Sequence, residues 1–391
     1  MSSLKPRNTL RWLLIIGGVS LVVGAAGAGF LHALEWVTHV FNAHRWLLFT
    51  LPVLGLLMVW VYETPAKASG GGVKTLIASI KIKAPTAPLP ASMAPAIIGT
   101  TLLSHLGGAS VGREGTALQM GGALAGQFAR WFTFDESGHR TLLLCGVSAG
   151  FAAVFGTPIA AAVFALEFVR LRSWAIIPCL ASAFLAELVG RKIFHASHAN
   201  YRLPVPAELS FSGVGDALIL GVACGLIAKL YLFLHRRNSA AKSLPNPYGR
   251  ILFGGILFVL LVQFGHLQDF TGLGLNVINE SFLEPIPPVV FAIKFLLTFL
   301  CVSYGFRGGE VTPLFFVGAT MGSAAAALLH LPLSICAALG FVGIFAGAGA
   351  VPLACAVMAC ELFGISIGGY ALVTCAVSWF VAGRKGLYDE A

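Results

Sequence analysis

A short glycine-flanked block of this chain occurs twice. Glu114, Thr116, Leu118, Gly122 and Ala123 return 196 positions later as Glu310, Thr312, Leu314, Gly318 and Ala319, and Gly112 returns as Gly308. A second block follows in the same order. Pro158-Ile-Ala-Ala-Ala-Val-Phe-Ala-Leu-Glu167 matches Pro352-Leu-Ala-Cys-Ala-Val-Met-Ala-Cys-Glu361 at an offset of 194. Two blocks in one order at nearly one offset mark a tandem duplication, with its seam between about residues 195 and 212. The expected division is a first repeat over 1–200 and a second over 201–391, packed as one integrated domain.

The duplicated unit is apolar. Of the 391 residues, 57% are hydrophobic and only 10% charged, and the mean hydropathy is +0.86. Soluble domains carry about 25% charged residues. An all-α polytopic membrane protein follows, because only helices or closed barrels satisfy their backbone inside lipid. The 46 glycines suit helices that pack closely there. A net charge of +9 invites a nucleic-acid partner, but the basic residues sit in short loops beside apolar runs. That pattern orients a membrane protein, so no nucleic acid is expected. The eight cysteines lie inside apolar segments without a Cys-x-x-Cys pair and read as small core residues. His195 and His198 lie three apart, but no third ligand stands nearby; an ordinary loop is expected, with no metal and no cofactor.

Apolar runs are expected as spans at about 12–31, 47–62 and 96–106, and in the second half at 212–235, 250–267, 289–305 and 311–329, with more beyond. Several segments after Gly107, such as 115–131, 139–156 and 158–170, are too short to cross lipid alone. Short, broken helices at matching places of two halves are the mark of a transporter core built as an inverted repeat. Basic residues at Lys5, Arg7 and Arg11, at Arg236, Arg237, Lys242 and Arg250, and at Arg384 and Lys385 put both termini on the cytoplasmic side. The seam then lies outside, which gives the halves opposite orientations. The run after Arg11 lacks a cleavage site and is expected to be retained as a span.

The chemistry concentrates at the repeated glycine turns. The first backbone N–H groups of a helix have no intrahelical partner and carry partial positive charge, so a glycine turn into a helix is a seat for an anion. Gly112-Arg113-Glu114-Gly115 and Gly308-Gly309-Glu310-Val311-Thr312-Pro313 are two such turns, and inversion brings them face to face at mid-depth. Glu114 stands where the anion would sit; the alternative is a simple pair with Arg113. Glu310 either handles protons or caps its own helix. Gly70-Gly71-Gly72-Val73-Lys74-Thr75 is a third glycine turn before a helix, with Lys74 as attractor or as surface charge. Glu167 and Glu361 end matching apolar runs and suit helix pairing. Tyr370 opens the last helix, its hydroxyl in the pathway or in an interface.

These residues resemble the CLC family of chloride channels and anion/proton antiporters. The resemblance covers nearly the whole chain and rests on the Gly-Arg-Glu-Gly signature, the second glycine turn ending in Pro313, and the turn at Gly72-Val73-Lys74-Thr75-Leu76. It implies a homodimer of inverted-repeat protomers in the plasma (inner) membrane, each with its own pore, and a gating role for Glu114. Val73 falls where chloride-selective members carry serine, and Phe168 where chloride antiporters carry an internal proton-relay glutamate. With Thr116, Glu310 and Thr312, these departures resemble the fluoride/proton antiporter branch, which has a tyrosine matched here to Tyr370. The resemblance therefore implies fluoride export against protons, with Glu114 and Glu310 handling protons. Its anion site would comprise Val73, Lys74, Thr75, Gly112, Arg113, Gly115, Val311, Thr312 and Tyr370. The alternative is a chloride/proton antiporter or passive chloride channel of the same family. Nucleotide-binding modules like those of eukaryotic relatives are not expected after Ala391. No His-Glu-x-x-His motif supports an enzyme.

Overall fold

The structure, a computed structural model, describes residues 6–81, 88–170, 174–198, 201, 203, 208–237, 244 and 246–389. Lys5, Pro85, Lys242 and part of the seam lie outside the described residues. Among the described residues the chain is all-helical. The first half holds α1 (Pro6–Ala43), α2 (Leu51–Glu63), α3 (Val73–Lys81), α4 (Met93–Leu106), α5 (Glu114–Gln127), α6 (Glu136–Phe155), α7 (Pro158–Glu167) and α8 (Ile176–Leu188). The second holds α9 (Phe211–Arg237), α10 (Pro247–Phe264), α11 (Leu275–Glu280), α12 (Val289–Tyr304), α13 (Val311–Ala325), α14 (Leu333–Gly349), α15 (Pro352–Phe363) and α16 (Gly368–Ala382). The expected short segments 115–131 and 158–170 are short helices, α5 and α7, but 139–156 belongs to the 20-residue α6, one of seven helical stretches among the described residues that are long and apolar enough to cross a membrane.

The surface reverses the logic of a soluble protein. On α9, Leu218, Val222, Leu226 and Phe233 form an exposed apolar stripe. Its buried side carries Gly221 and Gly225, a small-xxx-small pair where a Cβ would stand 3.0 Å from the Thr374 carbonyl oxygen and 2.8 Å from that of Ser378. Lipid offers no hydrophobic drive between helices, so close backbone approach supplies the contact. One expectation needs correcting. The first span, read as 12–31, is a helix of 38 residues. No Gly or Pro interrupts residues 30–43, and Leu34, Val37 and Phe41 keep an apolar stripe at helical spacing after the continuous apolar run ends. The run predicted the lipid-crossing part and missed the amphipathic extension. The small helix α11 carried no signal of its own.

Matching elements of the two halves pair with one another. Leu353 and Ala354, at the start of α15, donate N–H bonds of 3.0 and 2.7 Å to the Glu167 carboxylate that ends α7. Ile159 and Ala160, at the start of α7, donate bonds of 2.9 and 2.7 Å to the Glu361 carboxylate that ends α15. Each helix thus caps the other's free N–H groups and places a negative charge on its positive end. Helix pairing, not chemistry, is what these two acids do. Within each half the central helices cross at glycines. A Cβ on Gly121 would stand 2.1 Å from the Gly146 carbonyl oxygen, and one on Gly318 would stand 2.1 Å from that of Gly340. All eight cysteines are free, and seven are buried.

These crossings carry a test. Gly146→Leu and Gly340→Leu should sharply lower the monodisperse fraction on size-exclusion chromatography, since backbone carbonyls cannot move aside. At Gly17 and Gly29 a Cβ meets nothing within 4 Å, so Gly17→Ala and Gly29→Ala should hold or raise thermal stability, by up to about 1 kcal/mol.

Candidate functional site

The two glycine turns meet. Gly112 donates its N–H to the Gly309 carbonyl at 2.5 Å, and Gly309 donates back to the Gly112 carbonyl at 2.7 Å. This is an antiparallel bridge. Glycine is needed on both sides. Gly308 has φ 153°, and a Cβ there would stand 2.6 Å from Val111. A Cβ on Gly112 would stand 2.8 Å from Glu114 Oε2 and 2.9 Å from the Gly309 oxygen.

The bridge sets the start of α5 against the start of α13, and the Glu114 side chain lies between them, 1% exposed. Its Oε2 accepts from the Thr312 N–H at 3.0 Å and from the Arg113 N–H at 3.1 Å. The Thr312 hydroxyl donates to Oε1. The Thr312 N–H is one of the unpaired donors of the first turn of α13. Glu310 is the N-cap residue of that helix, yet its side chain makes no capping bond. A carboxylate from the other half fills the seat instead. The reading of Glu310 as its own helix's cap therefore falls. Glu310 keeps part of its surface accessible, while Gly309 and Val311 on either side are buried.

Arg113 is close to Glu114 without holding it tightly. Its Nε lies 3.7 Å from Oε1 and is itself without a hydrogen-bond partner. The arginine also lines an open cavity of about 380 Å³ with His32, Glu35, His39 and Asn42 from α1 and with His198. Open space thus reaches the residue beside the seat. The His198 ring N–H donates to the Ala153 carbonyl at 2.9 Å, and no metal cluster occurs among the described residues. Gly115 packs its backbone against Gly309, and Thr116 turns away to the Thr101 hydroxyl on α4 at 2.6 Å.

The third glycine turn contributes less than expected. Gly72 is buried beside Gln119 on α5, where a Cβ would lie 3.2 Å from Oε1. Val73 packs against the hydrophobic core, and the Lys74 side chain is exposed. The Thr75 hydroxyl folds back beside Gly71 of its own turn. Backbone, not these three side chains, is what this turn brings toward α5.

Tyr370 is misplaced by the sequence reading. Its hydroxyl donates to the Glu208 carbonyl at 2.6 Å and accepts from the Ser210 N–H at 2.8 Å, which pins the segment before α9. Both its bonding roles are filled there. A second tyrosine, Tyr388, is buried in the tail after α16. It is 7% exposed. Its ring stands edge-on to Phe164 and Phe168, at 6.0 and 5.7 Å between centroids. Among the described residues its hydroxyl has no partner. The signal was present in Gly383-Arg-Lys-Gly-Leu-Tyr388: two glycines and an aromatic after the last apolar run allow a tail to turn back. Phe168, stacked on Phe164 at 5.2 Å, fills its position with apolar bulk.

Two facing helix starts with a carboxylate between them make an anion seat. Residues 54–383 match the voltage gated chloride channel family. The chain belongs to that family. It is a multi-pass membrane anion transporter with the CLC architecture. This CLC chain is 38% identical over 390 residues to a chloride/fluoride channel protein of Pseudomonas syringae pv. tomato, covering 97% of this chain and 85% of the relative. It is 28% identical to a voltage-gated ClC-type chloride channel of Escherichia coli O81, over 90% of this chain and 91% of the other. Among solved structures, a CLC-type fluoride/proton antiporter superposes with a TM-score of 0.93 at 29% identity, over 99% of this chain and 98% of that one.

For the CLC seat, Gly112→Ala should lower anion flux at least tenfold, since its methyl group invades the carboxylate's place. Circular dichroism should stay helical. Tyr370→Phe should lower stability by about 1 kcal/mol while leaving flux per folded molecule unchanged, whereas Tyr388→Phe should do the reverse.

Proposed function

We propose that this CLC chain exchanges fluoride for protons, with Glu114 as both gate and proton carrier. The observation that carries the reading is the seating of the Glu114 carboxylate by the Thr312 N–H, the Thr312 hydroxyl and the Arg113 N–H at the meeting of two helix starts. A halide and a carboxylate compete for the same donors. Protonation removes the charge that these donors hold, so protonated Glu114 leaves the seat and an anion takes it. Each exit of the side chain then moves one proton and admits one anion.

Several features support fluoride as the anion. The Pseudomonas syringae relative is called a chloride/fluoride channel protein, and the solved neighbour is a fluoride/proton antiporter. Fluoride is small and strongly hydrated, so it needs short bonds from fixed donors. Backbone N–H groups, Thr312 and the Tyr388 hydroxyl suit that need. Phe168 offers no ionisable group, which leaves Glu310, with its accessible surface, to pass protons on the other side of the seat. We place repeats over 1–200 and 201–391, both termini in the cytoplasm, and a homodimer in the plasma membrane, on the charge pattern and the family.

A chloride transporter or channel is the second reading, favoured by the name of the Escherichia coli relative. Purified protein in liposomes separates the two. A fluoride gradient should drive opposed proton movement, and a chloride gradient should drive much less. Glu114→Gln and Glu114→Ala should abolish proton movement. Equal rates for both anions, or proton coupling that survives in Glu114→Gln, would remove the proposal.

A further inference from the structure

The segment that delivers Tyr388 is tied down at three points. Leu387 donates its N–H to the Ala348 carbonyl near the end of α14 at 2.8 Å. Gly386 lies flat on the same helix end: a Cβ there would stand 2.5 Å from the Gly349 carbonyl carbon and 2.7 Å from the Ala348 oxygen. The third tie is ionic. Arg170, just beyond α7, donates from Nη2 to Asp389 Oδ2 at 2.6 Å and to the Arg384 carbonyl at 2.5 Å. Asp389 Oδ2 also accepts the Gly386 N–H at 2.7 Å. One carboxylate thus closes the turn around Tyr388 and fastens that turn to α7. Arg170 sits at φ 57°, a region non-glycine residues rarely enter unless surrounding contacts hold them there.

The placement of these groups matters. The side chains of Arg170 and Asp389 are 52% and 19% exposed. Tyr388, one residue from Asp389, is buried against Phe164 and Phe168, and Phe164 stacks near Phe345, which meets Phe315 of α13, the helix that starts at the seat. The tail thus holds one buried side chain, Tyr388, beside a partly exposed ion pair. A partly exposed pair is weak and screened by salt. It holds a tail without locking it.

We propose that Arg170 and Asp389 form a latch that positions the Tyr388 hydroxyl at the anion pathway, and thereby sets the preference for fluoride over chloride. This rests on the reading above that Tyr388 serves the anion. Fluoride depends on a fixed, close donor. Chloride is larger and more weakly hydrated, and depends on that donor less. Releasing the tail therefore penalises fluoride first. Neither residue touches the anion; both act through Tyr388.

Full-length protein in liposomes tests this by fluoride and chloride efflux. Arg170→Glu and Asp389→Arg should each lower the fluoride-to-chloride rate ratio by about two- to fivefold, the range expected for loss of a partly exposed pair. The double variant Arg170→Glu/Asp389→Arg should recover the ratio. In a Tyr388→Ala background, Arg170→Glu should have no further effect. If Arg170→Glu does not fold, Asp389→Ala at the end of the tail serves in its place. Wild-type ratios in the single variants, no recovery in the double, or a persistent effect without Tyr388 would each overturn the latch. Wild-type protein that moves chloride and no fluoride sinks the fluoride assignment instead.

Discussion

A carboxylate buried among helix ends is the constraint to which the rest of this structure answers. Moving an isolated ionised group out of water costs several kcal/mol even after relaxation. Glu114 meets that penalty with the Thr312 N–H, the Thr312 hydroxyl and the Arg113 N–H, all fixed before the carboxylate arrives. Each helix start adds a partial charge equivalent to roughly half a proton. The donors are not specific to a carboxylate. Any compact anion of similar reach satisfies them, which is why the occupant and the cargo compete. A gate built this way needs no hinge. It needs a side chain that changes charge and somewhere for that side chain to go.

The seat cannot be made by one half of the chain. Glu114 comes from the first repeat, and the N–H and hydroxyl of Thr312 come from the second. The bridge between Gly112 and Gly309 sets the distance between them. The same reciprocity recurs where Glu167 and Glu361 cap each other's helices. In both places backbone groups left over at a helix start are satisfied across the repeat boundary. Water would otherwise serve them, and lipid offers none. Duplication followed by inversion supplies complementary ends in pairs, so each broken helix finds its partner. That is how helices too short to span a membrane are tolerated inside one.

Backbone-driven features were legible in the sequence, and features set by tertiary path were not. The two glycine turns announce themselves, because close backbone approach and free N–H donors need only a local motif. Glu114 followed from that. Tyr370 did not, since a tyrosine at a helix start says nothing about which way its hydroxyl points. The hydroxyl is spent on Glu208 and Ser210, while Tyr388 returns from the tail. Glu310 was read as a possible cap, and the cap came from a residue 196 positions away. The amphipathic end of α1 was hidden because hydropathy detects lipid-facing length. Leu34, Val37 and Phe41 face protein instead.

The aromatic cluster of Phe164, Phe168 and Tyr388 bears on the proposed proton route. Phe164, Phe168 and Tyr388 pack ring against ring. They leave no carboxylate at position 168 to receive a proton. Phenyl rings neither bind protons nor order a chain of waters. A proton that passes this level must therefore ride on a side chain that itself moves, or enter beside Glu310. A carrier that must leave its seat to deliver its proton cannot also admit an anion and remain seated. In the proposed exchange, coupling follows from exclusion: the proton and the anion take turns because one place holds either the charged carboxylate or the halide.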